Sequence, residues 1–90
     1  MPATHPPDVS IVVPIYNEVD NLPDLVERIA QAMAGQPLAF ELLAVDDGST
    51  DGSRARLREL AATRAWLRPV LLARNYGQSS ALQAGFDRVR

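Results

Sequence analysis

Val45-Asp46-Asp47-Gly48-Ser49-Thr50-Asp51 is the stretch that decides the fold, because an apolar run climbs straight into two adjacent carboxylates and a turn rich in helix-capping residues. Two acids at the carboxyl end of a buried strand repel each other and are poorly desolvated unless they meet donors or a cation in a crevice. The segment therefore predicts the end of a strand in an open α/β sheet, with a ligand site beyond it.

On either side, short apolar runs alternate with helical periodicity, which predicts strand-helix units and a parallel sheet. Val9-Ser10-Ile11-Val12-Val13-Pro14-Ile15 is a nearly continuous β-branched run, as expected for a strand covered on both faces, and Pro14 marks its end. Asn21 reads as an N-cap, with Leu22, Leu25, Val26, Ile29, Ala30 and Met33 at helical spacing until Gly35 stops the helix. Phe40-Glu41-Leu42-Leu43-Ala44-Val45 is the second strand. After the acidic turn, Ser49 or Thr50 caps a second helix, Asp51 favours its positive end, and Leu57, Leu60 and Ala61 form its buried stripe. Pro69-Val70-Leu71-Leu72-Ala73 is the third strand, and Leu82, Phe86 and Val89 share one face of a last helix, which is expected to be still running at Val89-Arg90. Ser79 and Ser80 read as caps of that helix, Ala81, Ala84 and Gly85 as a face for close packing, and Trp66 as a packing anchor. The expected architecture is a three-layer, Rossmann-like α/β fold with three strand-helix units over residues 9–90, preceded by a disordered Pro-rich tail over residues 1–8.

Composition narrows the chemistry. The chain has 90 residues, and one of this size buries only about 60–65% of the surface its unfolded form exposes. It has no cysteine, so disulfides and thiolate metal sites are excluded and a cytoplasmic setting is expected. No lysine occurs either, which removes lysine-dependent chemistry. Residues 1–50 carry eight acids against Arg28 alone, whereas residues 51–90 carry eight arginines against Asp51, Glu59 and Asp87. Arg54, Arg56 and Arg58 in that basic half read as a solvated helix face, and nothing indicates nucleic-acid binding.

Ligands of open α/β sheets bind beyond the carboxyl ends of the strands. The loops over residues 14–21, 46–52 and 74–80 therefore bring Tyr16, Asn17, Glu18, Asp46, Asp47, Arg74, Asn75 and Tyr76 around one crevice, a set suited to a base and ribose. Familiar phosphate and metal loops fail here. The first strand leads into Pro-Ile-Tyr-Asn-Glu with no Gly-x-Gly-x-x-Gly, and a Walker A loop has no lysine. The stretch from Asp47 mimics a calcium loop, but Arg58 stands at its twelfth position where a bidentate glutamate is required.

Val-Ser-Ile-Val-Val-Pro-Ile-Tyr-Asn-Glu over residues 9–18 and the acidic segment over residues 45–51 resemble the opening motifs of the inverting family 2 glycosyltransferases of the GT-A fold. Leu-Ala-Arg-Asn-Tyr-Gly-Gln-Ser-Ser-Ala-Leu-Gln-Ala-Gly-Phe over residues 72–86 is similar to the branch of that family that acts on polyprenyl phosphates. The resemblance covers residues 9–90. It implies a donor that is a UDP or GDP sugar and an undecaprenyl or dolichyl phosphate acceptor. It further implies that Pro14 and Tyr16 flank the base, that Glu18 lies near the ribose or phosphates, and that Asp47 is the base-binding carboxylate. Asp46 then orients the loop, and Arg74 either approaches the diphosphate or pairs with an acid.

Family members continue into a fourth strand ending in Asp-x-Asp, whose carboxylates hold Mg²⁺ or Mn²⁺, and this sequence has no such motif. The resemblance thus implies the N-terminal, nucleotide-binding part of a truncated transferase domain, inactive alone and with no metal ligand of its own. The catalytic residues are expected beyond Arg90, and none within residues 9–90. The whole protein would work at the cytoplasmic face of the membrane. A saccharide acceptor, a non-catalytic module for nucleoside diphosphates, and self-association through a bare edge of the first strand are the alternatives.

Overall fold

The computed structural model describes residues 7–89. The tail expected over residues 1–8 lies outside them as far as residue 6, while Asp8 is anchored: its N–H donates to Ala39 O and its carboxylate accepts from Ala39 N–H, both at 2.9 Å. Six elements alternate as β1 (Val9–Ile15), α1 (Leu22–Ala34), β2 (Phe40–Asp46), α2 (Ser53–Ala62), β3 (Leu67–Leu71) and α3 (Gln78–Phe86). The strands form one parallel sheet in the order β1-β2-β3, with Ile15 opposite Asp46 and Asp46 opposite Leu71 at the carboxyl ends. The three-layer α/β architecture predicted from sequence is the one observed.

The strand covered on both faces is β2, not β1. Leu42 and Ala44 point into a core shared with Ile15, Leu22, Val26, Leu57 and Leu67, which packs the sheet on α1 and α2. Leu43 and Val45 point the other way, against Val70 and Ala81, packing the sheet on α3. β1 pairs only with β2 among the described residues, and its residues before Ile15 are half-buried. Pro14 and Pro69 sit inside β1 and β3 rather than ending them. Ile15 O accepts from Asp47 N–H, and Trp66 O and Leu72 N–H both bond β2. Because bonding direction alternates along a strand, Pro14 and Pro69 face away from β2, where no N–H is missed. Fully burying a leucine contributes about 1.5–3 kcal/mol, whereas an exposed helix pair such as Arg28–Asp24 adds about 0.3–0.5 kcal/mol. Leu22, Leu42, Leu43 and Leu57, all buried, therefore dominate the fold.

Four sequence expectations shift for local reasons. β3 begins at Leu67, two residues early, because Leu42 N–H donates to Trp66 O and starts the ladder there. Trp66 itself packs on Phe40, ring centroids 4.9 Å apart. α2 begins at Ser53 rather than after Ser49 or Thr50, whose polar groups are drawn toward Asn17 instead. α3 begins at Gln78, so Ser79 and Ser80 lie within its first turn and are not caps. Nor is α3 still running at Val89: it ends at Phe86, where the N–H groups of Arg88 and Val89 donate three residues back, to Gly85 O and Phe86 O, in the tighter turn that closes many helices. Arg90 lies outside the described residues, as do the catalytic residues expected beyond it.

α3 meets the sheet through its small residues. Ala81 and Gly85 are buried, and Ala84 packs beside them, while Phe86 is 59% exposed and Val89 is also exposed. Of the apolar face expected at Leu82, Phe86 and Val89, Leu82 is half-buried and the other two look outward. The cause is Gly85, where an added Cβ would overlap the Val12 side chain and crowd Val45. Gly85→Val is expected to lower stability by about 1–3 kcal/mol in urea unfolding through overpacking; an unchanged midpoint would contradict this packing.

Candidate functional site

The two acids of the turn part company. Asp46 lies on the α2 side, fully buried, with Oδ2 accepting from Ser49 N–H at 3.1 Å and lying 3.6 Å from Arg54 Nη1. Arg54 also donates to Leu72 O at 2.6 Å, so one guanidinium ties the ends of β2 and β3 together. Sequence reading put Arg54 on a solvated helix face with Arg56 and Arg58. Its place in the first turn of α2, beside a buried acid, was the signal available. Arg56 does stay outside, paired with Glu59 at 2.9 Å.

Asp47 turns toward the loop between β3 and α3. Its Oδ1 accepts Tyr76 N–H at 2.8 Å, and its Oδ2 accepts Gly77 N–H at 3.0 Å and Asn75 Nδ2 at 3.1 Å. Hydrogen bonds to an ionised acceptor are about twice as strong as neutral ones, so this carboxylate shapes the loop around it. Gly48 lets the backbones touch. It adopts φ 76°, and a Cβ there would overlap the Arg74–Asn75 peptide.

A second set of bonds fixes the loop after β1. Asn17, at φ 51°, donates its N–H to Ser49 Oγ at 2.9 Å and accepts Thr50 N–H through Oδ1 at 2.9 Å. Glu18 N–H donates to Ser53 Oγ at 3.0 Å, and Val19 N–H donates to Asp51 Oδ2 at 3.1 Å. Asp51 Oδ1 accepts both Ser53 N–H and the Ser53 hydroxyl, while the N-cap position of α2 is Gly52, so neither Ser49 nor Thr50 caps the helix. The loop rich in caps is thus a clasp between two loops.

Where the three loops meet, a crevice of about 280 Å³ opens. Of the residues singled out from sequence, Pro14, Tyr16, Glu18, Asp47 and Asn75 line it, joined by Ile15, Gly77 and Gln78, while Asn17 and Tyr76 do not. Ile15, Gly77 and Gln78 escaped sequence reading, since an apolar strand end, a glycine and a helix-start glutamine carry no chemical signature. Asp46 is fully buried and does not line the crevice. Arg74 stands outside the lining, exposed, with its guanidinium 5.0 Å from the Tyr76 ring centroid, so a cation–π contact replaces the ion pair that was one of its two expected roles. Glu18 accepts from Asn21 Nδ2 at 2.8 Å, so Asn21 starts α1 without capping it through its side chain.

The residues in place do not make a cation shell. Among the described residues, no group of three or more His, Cys, Asp and Glu side chains converges. Both Asp47 oxygens are already met by N–H donors, and Asp46 is sealed against α2. The Mg²⁺ or Mn²⁺ implied by the resemblance is therefore assigned no ligand here.

Known proteins share this sequence pattern and fold. Glycosyl transferase family 2 matches residues 10–90. The undecaprenyl-phosphate 4-deoxy-4-formamido-L-arabinose transferase of Klebsiella pneumoniae is 48% identical over 89 residues, covering 96% of this chain and 27% of the relative. The dodecaprenyl-phosphate galacturonate synthase of Rhizobium johnstonii is 46% identical over 84 residues, covering 92% of the chain and 25% of the relative. Among solved structures, the mannosyltransferase PcManGT from Pyrobaculum calidifontis, in complex with GDP-Man and Mn²⁺, superposes with a TM-score of 0.80 at 27% identity, covering 97% of this chain and 26% of that one. The parallel sheet with its helices on both faces matches part of a GT-A glycosyltransferase fold. The chain belongs to glycosyl transferase family 2. It spans about a quarter of the length of the curated relatives it matches.

The clasp carries a pH signature. The Ser53 hydroxyl above all, then the amides of Val19 and Ser53, hold the Asp51 carboxyl below its ordinary value of 3.8, with burial opposing them. A carboxyl lowered on folding contributes stability above its unfolded value, and that contribution is lost as pH falls through the folded value. Asp51→Ala should therefore melt below the unmodified chain at neutral pH, with the gap closing below pH 3.8. A gap in melting temperature that does not vary with pH would contradict the assignment.

Proposed function

We propose that this chain forms the nucleotide-binding part of an inverting glycosyltransferase that moves a sugar from a nucleoside-diphosphate sugar to a polyprenyl phosphate. The observation that carries the reading is the crevice beyond β1 and β2, walled by Pro14, Tyr16, Glu18 and Asp47, in a chain whose relatives are named for polyprenyl-phosphate products and substrates. Tyr16 is 48% exposed at the crevice and free to lie against a base, with Pro14 behind it. Asp47 accepts an N–H from the base edge. Glu18 lies toward the ribose, and Arg74 can leave the face of Tyr76 to meet the diphosphate, as a long exposed cation does.

In the whole enzyme the acceptor phosphate oxygen, already ionised, attacks the anomeric carbon, so a strong general base is less necessary than for a sugar hydroxyl. A divalent ion supporting the leaving diphosphate would be held by carboxylates other than those described here, and residues 9–90 would act as one part of a larger domain. No described helix is long and apolar enough to cross a membrane. The proposed place of action is the cytoplasmic face, where nucleotide sugar and lipid phosphate meet.

Base stacking on an aromatic is worth about 1–3 kcal/mol, so Tyr16→Ala should weaken binding of a nucleoside diphosphate by about tenfold or more, with an unchanged melting temperature. Calorimetric titration with UDP and GDP checks this, and no heat with either would overturn the nucleotide-binding reading. The outer edge of β1 has no partner strand among the described residues and is proposed to pair with a second copy. Light scattering should show a mass that rises with concentration; a monomer throughout would remove that partner.

A further inference from the structure

We propose that Asn75 determines which base the crevice accepts, by leaving Asp47 a single open acceptor position. The inference rests on the nucleotide-binding reading above. A carboxylate offers about four acceptor positions, two on each oxygen. Oδ2 of Asp47 is filled by Gly77 N–H at 3.0 Å and Asn75 Nδ2 at 3.1 Å, and Oδ1 takes Tyr76 N–H at 2.8 Å. One position remains, on Oδ1, and Asp47 is only 3% exposed yet lines the crevice.

Two of the three donors are backbone amides that any side chain would supply. Asn75 Nδ2 alone depends on residue identity, and it is held in place by a further bond to Asp47 O at 3.2 Å. Guanine presents a ring N–H and an amino N–H side by side and needs an acceptor on each oxygen. Uracil and thymine present one imide N–H. With Oδ2 closed, guanine leaves an N–H desolvated and unpaired, a loss that amounts to about tenfold or more in affinity. The crevice therefore favours a uridine- or thymidine-type diphosphate over a guanosine one, and Asn75 is the residue that sets the preference.

PcManGT was solved with GDP-Man, which makes UDP and GDP the natural pair to compare. In calorimetric titration of the chain, UDP should bind about tenfold or more tighter than GDP, and in Asn75→Ala the ratio should shrink to within about threefold as Oδ2 opens. Equal or tighter binding of GDP by the unmodified chain overturns this inference alone, as does an unchanged ratio in the variant. No heat with either nucleotide overturns the underlying reading, and this one with it. Should Asn75→Ala fail to fold, Asn75→Leu, of nearly the same size and without a donor, serves in its place, and the ratio for the unmodified chain decides independently.

Discussion

The carboxylate of Asp47, gathering Asn75 Nδ2 and the amides of Tyr76 and Gly77, is the interaction on which the site depends. It joins the end of β2 to the start of α3, across a contact that Gly48 alone keeps clear. Without these donors, two neighbouring acids at the end of a buried strand would be costly to desolvate. The chain sends them apart, Asp46 Oδ2 to Ser49 and Arg54 and Asp47 to the next loop, while Asp46 Oδ1 stays buried without a hydrogen-bond partner among the described residues. Three loops from separate units thereby become one rim.

Rigidity around the rim has two sources of different size. Burial of the leucine-rich faces of β2 holds the layers together and makes up most of the stability. The bonds from Ser49, Asp51 and Ser53 to the loop of Asn17, Glu18 and Val19 add little to that total but fix where Tyr16 and Glu18 stand. At the far end of the sheet, Glu41 accepts from Ser10 Oγ and Arg68, so its burial does not strand a charge beneath α3. The polar network thus sits at the two ends of the strands, and the apolar core runs between them. A ligand crevice is possible at one end because that end was built from loops.

Much of the fold was legible because period and composition agree: Phe40 to Val45 reads as a strand and Leu22, Val26 and Ile29 as a helix face, although which strand is covered on both faces was not. The acidic turn gave the place of the site. Illegible were features set by approach distance rather than residue class. Gly85 brings α3 so close that Phe86 faces outward, and Arg54 is charged like its exposed neighbours yet reaches a buried acid. Arg74 reads from sequence as a cation for phosphate or acid, but an aromatic ring one turn of loop away offers it a nearer face. Pattern reports the side of an element; it does not report who arrives on the other side.

The Asp47 latch is open to a direct measurement, the hydrogen-exchange rates of the Tyr76 and Gly77 amides. Both belong to a loop whose neighbours are largely exposed, so only the carboxylate accounts for protection there. The predicted result is exchange well slower than for an unprotected amide at both positions, reverting to the unprotected rate in Asp47→Ala while the β2 amides stay protected. Unprotected exchange at Tyr76 and Gly77 in the unmodified chain would contradict the account at its centre.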